Sequence, residues 1–460
     1  MGERLRAAGV SDRKKDVKMD GDIRFYLGIA CVLFLAGAAI FLWDAFGRMR
    51  TRRLIAFLPT SKAKGVFIGL VELSGTAECE RGKGTIAPMS GRSCVYVKTK
   101  IEEKRIETRT TKNSDGESVT KTEAVWKTLA ESESRTPFYL RDETGAVRVD
   151  PSGAEIVAEK FVEETLDRSA PEYFKWADGR SELPNSCGLR RFAEFGVPLS
   201  SAVYVLGKAR IRKDVVAAEI AKDETEPTFL IVAGNEEKAR KGANYEEKLS
   251  LALAFFFAVG FGACLPGVWG AERRAIGVGA LAGGGVCVAF WALRALLAYV
   301  NSFVEFRRFV DRAKSNIDVE LKRRADLLPA LAEATRAAGE HEKNVQETLA
   351  ALRSQETVLR VDDAENGGAV ATAPRLLALV ESAPELKADK AFAKLRQGVV
   401  DAEERIALAR EYYNNIAENY ETRRQTFPHS LVAALWRLPA AKFFAAEGFE
   451  AKTVDVDLET

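Results

Sequence analysis

Three apolar runs without charged side chains constrain this chain more than any other feature of its sequence. Residues 25–43 form the first run, and residues 249–271 and 275–293 form two more, separated by Glu272, Arg273 and Arg274. A helix needs about 20 apolar residues to cross the hydrocarbon of a bilayer, so each run predicts a transmembrane helix. The last two runs predict a helical hairpin. The alternative is a pair of buried helices in a soluble core, but uncharged runs of this length are uncommon outside membranes.

The first run is typical of an uncleaved anchor. A cleaved signal peptide has a shorter apolar stretch that ends at small residues, whereas this run ends in Phe41, Leu42 and Trp43. Three crossings would place residues 47–246 and residues 300–460 on one side of the membrane and the tail on the other. Lys and Arg flank the first run at both ends, so the short Arg273–Arg274 loop indicates the orientation better. By the positive-inside rule it favours extracytoplasmic soluble domains.

Composition excludes several classes of protein. At 460 residues the chain has room for about three domains, and 47% hydrophobic residues exclude disorder of the whole. The 68 Lys and Arg balance 66 Asp and Glu to a net charge of +2, which provides no global field for nucleic acid. Two histidines and six cysteines without a Cys-x-x-Cys pair remove most zinc sites and histidine-based catalytic sites.

The first soluble region has the pattern of a β-rich domain. Short stretches alternate or are rich in β-branched residues, and turn sequences at 142–145 and 150–153 punctuate them. A closed or partly open small barrel suits such strands. Residues 106–120 are rich in Thr, Lys, Ser and Asp, and we expect a long exposed hairpin loop there. The predicted strands lie at 66–73, 94–101, 138–140, 146–149 and 203–206.

Several stretches of this region resemble the GIDE domain of membrane ubiquitin ligases of the mitochondrial type. The resemblance covers residues 66 to about 234, and it implies a domain beside the membrane between two transmembrane helices. In those ligases a C-terminal RING, a zinc module, carries out the transfer. Here no cysteine follows Cys287, so ligase activity is not implied. The stretches are Gly-Leu-Val-Glu-Leu-Ser-Gly at 69–75, Ser-Gly-Arg-Ser-Cys-Val-Tyr at 90–96, Thr-Pro-Phe-Tyr-Leu-Arg-Asp-Glu-Thr-Gly at 136–145, Val-Asp-Pro at 149–151 and Val-Tyr-Val-Leu-Gly at 203–207.

Beyond the third run the apolar residues follow a helical period. One stripe runs from Phe306 to Leu321, and on the same stretch Asp318 with Lys322 and Glu320 with Arg324 form i,i+4 pairs that we expect to solubilise a face. A second stripe repeats in steps of three and four over about four heptads, which predicts a long helix in an antiparallel bundle. It is either the core of the bundle or a surface for a partner helix. Its members are Phe392, Leu395, Val399, Ala402, Ile406, Ala409, Tyr413, Ile416 and Tyr420.

The helical region resembles the LemA family from about Asn301 to Glu447. The resemblance rests on four spaced stretches in the same order, and it implies a membrane-anchored bundle of bacterial envelopes without assigned catalytic residues. The stretches are Asn-Ile-Asp-Val-Glu-Leu-Lys-Arg-Arg-Ala-Asp-Leu-Leu-Pro at 316–329, Ala-Pro-Glu-Leu-Lys at 383–387, Glu-Glu-Arg-Ile-Ala-Leu-Ala-Arg-Glu-Tyr-Tyr-Asn at 403–414 and Thr-Phe-Pro at 426–428.

None of the candidate residues and motifs in the sequence forms a recognisable catalytic site. Cys79 and Cys94 lie on strands that we expect to be neighbours, as core thiols or as a disulfide, and Cys187 is left over. The Gly-Lys-Gly-Thr stretch at 82–85 fails as a phosphate loop, because Gly84 stands where Ser or Thr must follow the Lys. His341 and His429 have no Cys or second His nearby, and we expect both at the surface.

Two surfaces remain open to interpretation. The apolar segment from Leu431 to Phe449, with Trp436 in it, either caps the bundle or lies in the membrane interface. A basic stretch near the membrane is either a solvated face or a contact for anionic headgroups. The basic residues are Arg307, Arg308, Lys322, Arg323 and Arg324.

These observations predict an α+β membrane protein with a β-rich, small-barrel-like domain, a long antiparallel α-helical bundle and three transmembrane helices. The predicted parts are a basic tail at 1–24, transmembrane helices at 25–43, 249–271 and 275–299, a GIDE-like domain at 60–245 and a LemA-like bundle at 300–460.

The function predicted from the sequence is that of a non-enzymatic scaffold or interaction protein of the bacterial inner membrane. We expect the lipid bilayer and other proteins as partners, and neither nucleic acid nor a small-molecule substrate. No catalytic, cofactor-binding or metal-binding residue is predicted, and no cofactor. The alternative is a ubiquitin-ligase-like transferase.

Overall fold

The computed structural model describes residues 2–79, 84–112, 118–212, 218–268, 273–338 and 390–444. The helices are α1 Gly2–Ile55, α2 Glu172–Lys175, α3 Glu236–Val268, α4 Arg273–Ala338, α5 Lys390–Gln425 and α6 His429–Leu435, with a 3-10 turn at Ala63–Gly65. The strands are β1 Thr60–Ser61, β2 Gly69–Cys79, β3 Thr85–Ile86, β4 Ser93–Lys112, β5 Ser118–Arg135, β6 Phe138–Arg141, β7 Ala146–Val149, β8 Glu155–Val157, β9 Glu159–Asp167, β10 Ser186–Pro198, β11 Ala202–Ile211, β12 Ala218–Ala221 and β13 Leu230–Ala233.

Contacts divide the chain into two compact units. The first contains Met1–Phe57, Arg240–Phe309 and Asn419–Ala441, and the second contains Leu58–Ala239, Val310–Glu418 and Lys442–Thr460. The long helices α4 and α5 each contribute to both units.

Within the described residues, three helices that lie mainly in the first unit are long and apolar enough to cross a membrane, at Arg24–Ile55, Glu236–Pro266 and Gly277–Leu327. Each of them overlaps one of the predicted runs. Large apolar side chains stay exposed on these helices, with Trp43 82% exposed and Leu281 79% exposed, as expected of surfaces that face lipid. Helix α3 already begins at Glu236, so the end of the predicted β-rich domain is helical. Helix α4 crosses the predicted boundary at 299 without a break.

Helices α3 and α4 approach each other closely at glycines. A Cβ atom on Gly262 would overlap the carbonyl oxygen of Gly279, and one on Gly283 would overlap the carbonyl oxygen of Ala258. Gly279 and Gly283 are the pair whose spacing is typical of close helix packing in membranes. The hairpin therefore depends on bare backbone at these positions.

The second unit contains a closed barrel of five strands. Strand β2 pairs antiparallel with β6 and β11, β6 pairs with β7, β7 pairs parallel with β12, and β12 pairs with β11 to complete the ring. This is the Greek-key order of an OB-type barrel, and it confirms the predicted small barrel. Its interior is apolar because alternate residues of each strand point inward. The core includes Val71, Leu73, Phe138, Leu140, Val147, Val149, Val203, Val205 and Ile220.

A second sheet of five strands is built from two insertions into the barrel. Strands β3, β4 and β5 lie between β2 and β6, whereas β9 and β10 lie between β7 and β11. Strand β4 pairs with β5 on one side and with β10 on the other. Behind this sheet, buried Arg190 pairs with buried Glu103 at 3.2 Å and lies over the Tyr173 ring.

The strands differ from the sequence prediction mainly at residues 106–120. The ladder between β4 and β5 continues to Lys112 and Ser118, so most of the expected loop is paired strand. Thr and other β-branched residues suit a paired strand as well as a polar loop, which explains the error. Strand β2 starts at Gly69 rather than at residue 66, and β7 has the predicted bounds.

Helices α4 and α5 run antiparallel. Glu320 bonds to Arg405 and Arg324 bonds to Glu403, so numbers rise along one helix as they fall along the other. The α5 stripe is buried at every member from Val399 to Tyr420. Leu395, before this range, is half-buried, and the side chain of Phe392 lies outside the described residues. The prediction that Glu320 with Arg324 solubilises a face is wrong, because both residues are buried and join the two helices.

Candidate functional site at the contact between the barrel and helix α5

The segment before the barrel lies against helix α5. Ala63–Gly65 forms a 3-10 turn, and the Lys64 ammonium lies 3.2 Å from the Asp401 carboxylate and also pairs with Glu404. These side chains are about a third to a half exposed, so the ion pairs add little stability by themselves. They set which face of α5 the turn meets.

Arg405 joins three parts of the second unit. Its guanidinium donates to the Lys64 carbonyl oxygen at 2.9 Å and lies 5.5 Å from the centre of the Phe67 ring. It also forms two hydrogen bonds to Glu320 of α4, a residue 3% exposed. The planar guanidinium carries several N–H donors in fixed directions, so it can make these contacts at the same time. A lysine ammonium could not replace it.

The outer face of the barrel is buried where it meets the helices. Glu72 and Tyr204 point away from the barrel core, yet both are fully buried. Burial raises the pKa of Glu72 to about 8, and the nearby Glu236 adds to the shift. The hydroxyl of Thr60 donates to the Glu72 carboxyl at 3.3 Å. A carboxyl in this environment holds its proton near neutral pH.

Two contacts from the helices cover this face. The Tyr412 hydroxyl of α5 interacts with Ser61 of β1, and burial raises the pKa of that tyrosine. The Arg312 side chain of α4 lies against Gly69, whose φ is +136°. That angle and the close approach both require glycine at the start of β2. Both helices therefore contribute side chains to the cover of this barrel face.

A shallow, open cleft lies beside this contact. Its walls offer hydroxyls, an amide, one ammonium group and one carboxylate, groups that suit polar contacts. The lining residues are Thr60, Ser61, Lys62, Gly65, Leu408, Glu411, Tyr412 and Asn415.

All six cysteines are free thiols. Cys79 lies on β2 and Cys94 on β4, strands that belong to different sheets, so the expectation that they neighbour each other is wrong. Buried Cys94 donates to the Thr85 carbonyl oxygen at 3.3 Å, and burial raises its pKa to about 11, which makes it a poor nucleophile. Cys187 is exposed.

The remaining candidates are also spread over the fold. His429 is half-buried, with its ring centre 4.6 Å from that of Tyr299 and 6.0 Å from that of Phe303, which corrects the expected surface position. His341 and Gly82–Lys83 lie outside the described residues. Among the residues that the structure describes, no group of three or more His, Cys, Asp and Glu side chains is placed to hold a metal ion.

Both ambiguous surfaces are resolved in part. In the basic stretch, Arg307, Arg308, Lys322 and Arg323 are exposed, but Arg324 is 4% exposed and pairs with Glu403 at 3.1 Å. The apolar segment does fold back along α5: the Phe444 ring packs edge-on against Tyr413, and the Tyr420 hydroxyl donates to the Pro439 carbonyl at 2.9 Å. Several of its apolar side chains remain exposed.

Sequence reasoning missed the residues that carry this contact. Glu72 stood as a lone carboxyl inside a predicted strand, and such a charge at a position facing away from the core usually meets water. Only the covering helices, more than 200 residues later in the chain, make it buried. Lys64 and Arg405 gave no signal, because single charges near a strand and on a helix are ordinary surface features.

The described residues define a mixed α+β protein in which a five-stranded barrel contacts a pair of antiparallel helices, with three helices apolar enough to cross a membrane. Residues 313–458 match the sequence model of the LemA family. Residues 106–265 match the model named GIDE and described as E3 ubiquitin ligase. Together these matches show a chain that combines a GIDE-type region with a LemA-type region. Both begin and end later than the stretches recognised above. No curated protein matches the chain.

Proposed function

We propose that this chain is a non-enzymatic, membrane-anchored scaffold of the bacterial inner membrane that presents its barrel and its helical bundle to protein partners as one fixed surface. The contact made by Arg405 carries the proposal, because one side chain ties the barrel segment to both α4 and α5. A contact shared among three elements suits a protein that holds partners in a constant arrangement. A hinge would suit a protein that closes over a substrate.

The antiparallel long bundle and the membrane topology are parts of this proposal. Three crossings put the barrel and the bundle on one face of the membrane, and the two arginines at the start of α4 favour the extracytoplasmic face. LemA and GIDE matches support a membrane-associated protein.

The scaffold proposal is tested with partners captured by crosslinking in native membranes and then purified. A captured partner should bind the purified full chain directly, and Arg405→Glu should weaken that binding while Glu418→Ala, at an exposed position of α5 away from the contact, leaves it unchanged. Equal binding by both variants would overturn the role of the fixed contact.

The second candidate function is ubiquitin transfer, which the description of the GIDE match favours. A RING-type zinc module needs closely paired cysteines, and none stands after Cys287 in these 460 residues. We expect the purified chain to carry no stoichiometric zinc and to leave ubiquitin on a charged conjugating enzyme. About one zinc per chain, or discharge that depends on Cys79, Cys94 or Cys187, would favour the transferase instead.

A further inference from the structure

Helix α6 and its flanks expose a set of large apolar side chains. Phe427 is 75% exposed, Leu431 63%, Leu435 75% and Trp436 49%. We call these four residues the α6 apolar surface. The opposite side of the short helix is buried through Val432 and Ala433. The short helix therefore has one apolar side packed in the protein and a second apolar side without cover.

The position of α6 along α4 sets its depth relative to the membrane span. His429 at the start of α6 packs on Tyr299 and Phe303 of α4. On α4 large apolar side chains are exposed at Leu296 and Leu297, which are 45% and 46% exposed, and again at Val304, which is 51% exposed. At a rise of about 1.5 Å per residue, Tyr299 and Phe303 lie about 3 to 9 Å beyond Leu297. The headgroup layer on each side of the hydrocarbon is about 5 to 8 Å thick, so α6 lies at that level.

Basic and aromatic side chains lie around this level. Arg53 donates to the Ala298 carbonyl oxygen at 2.6 Å, and Arg294 lies over the Phe46 ring at 4.5 Å. Residues 427–444 contain Arg437 and Lys442 but no Asp or Glu. Tyrosine, tryptophan and arginine at the end of a membrane span are typical of the interface between lipid and water.

We propose that the α6 apolar surface inserts into the boundary between headgroups and acyl chains of the bilayer that α1, α3 and α4 cross. This inference rests on the membrane anchoring in the proposed function. It adds a fourth, peripheral membrane contact, made by a segment that does not span. Continuity with the exposed apolar face of α4 selects lipid as the occupant. The C-terminal end of α5 is thereby held against the membrane surface.

The test places a spin label at Leu435→Cys in the full-length chain, with the native cysteines replaced, in nanodiscs containing anionic lipid. The position is exposed, so the label needs no repacking. Leu281→Cys, on the exposed face of α4 within the span, is the membrane control, and Lys394→Cys, exposed near the start of α5, is the water control. Collision rates with oxygen, which concentrates in lipid, and with a water-soluble nickel chelate are then measured.

We expect an oxygen-to-nickel ratio at Leu435 several-fold above that at Lys394 and approaching that at Leu281. A ratio equal to that at Lys394 would overturn the proposal, and so would protection from both reagents, which would indicate a second protein chain as cover. A low ratio at Leu281 would instead contradict the membrane anchoring itself. The two failures are thus distinguishable.

Discussion

Glu72 links the stability of the protein to pH. Its pKa of about 8, against an ordinary 4.5, means that the folded chain retains a proton that the unfolded chain releases. Stability is therefore fully present below about pH 4.5 and is lost as pH rises towards about 8. We expect Glu72→Gln, which cannot ionise, to weaken this dependence and to raise the melting temperature at pH 8.

The measurement is thermal unfolding of the full chain in detergent between pH 5 and pH 8. Glu78→Gln is the matched control, since Glu78 lies on the same strand with its side chain 41% exposed and pairs with Arg141. Identical pH slopes for Glu72→Gln and the unchanged protein would contradict the buried, protonated state.

Arg405 is the residue whose loss should weaken the contact between barrel and helices. Arg405→Ala removes two hydrogen bonds from buried Glu320 and one from the Lys64 carbonyl. Breaking a buried pair by removing one partner costs about 3 to 5 kcal/mol, and Arg323, 3.8 Å from Glu320, offsets part of this. We expect about 2 to 4 kcal/mol of destabilisation by chemical unfolding, against less than about 1 for Glu404→Ala. Equal losses would contradict the assignment.

At the scale of helices, the buried stripe of α5 offers a direct comparison. Ile406 is 2% exposed and Val400, on the same helix, is 40% exposed. Ile406→Asp places an unpaired charge in the core and should cost several kcal/mol (~3 to 5). Val400→Asp should cost about 1 kcal/mol or less. Melting of the full chain compares them, and similar effects would indicate that the stripe is not core.

The close approach of α3 and α4 gives a second comparison between helices. Gly262→Leu would drive a side chain into the backbone of Gly279 and Gly283, whereas Gly285 has open space around it. We expect Gly262→Leu to separate the hairpin and lower the melting temperature in detergent, and Gly285→Leu to leave it nearly unchanged. Equal melting temperatures for the two variants would show that the helices do not need bare backbone here.

Periodic burial could be predicted from the sequence, because the residues that share a face of one helix are set by local geometry. The α5 stripe and the three apolar helices follow this rule. The extent of the β4–β5 ladder could not be predicted from the sequence, since Thr, Lys and Ser at 106–120 suit both a loop and an exposed strand. The cover over Glu72 depends on helices from a distant part of the chain, and no local pattern contains that information.

At the scale of the whole molecule, three membrane crossings determine on which side of the membrane each soluble part lies, and this can be tested. Cys187 near the start of β10 and a cysteine at exposed Lys394 should react with an impermeant maleimide from the same side of intact membrane vesicles. A cysteine at Ser11 in the amino-terminal tail should react only from the opposite side. Reaction of Cys187 and Lys394→Cys from opposite sides would remove the hairpin of α3 and α4. The Cys187→Ser variant without an added cysteine gives the background labelling by the maleimide.

The long interval between β2 and β11 also affects how the chain is made. Strand β2 leaves the ribosome soon after α1, but its partner from Ala202 to Ala209 follows well over a hundred residues later. Closing so long a loop is slow and entropically costly. The β4–β5 hairpin within the interval pairs locally and can form first. A half-built barrel, tethered by α1 and carrying an open strand edge, therefore persists during synthesis and is the species most exposed to chaperones and proteases.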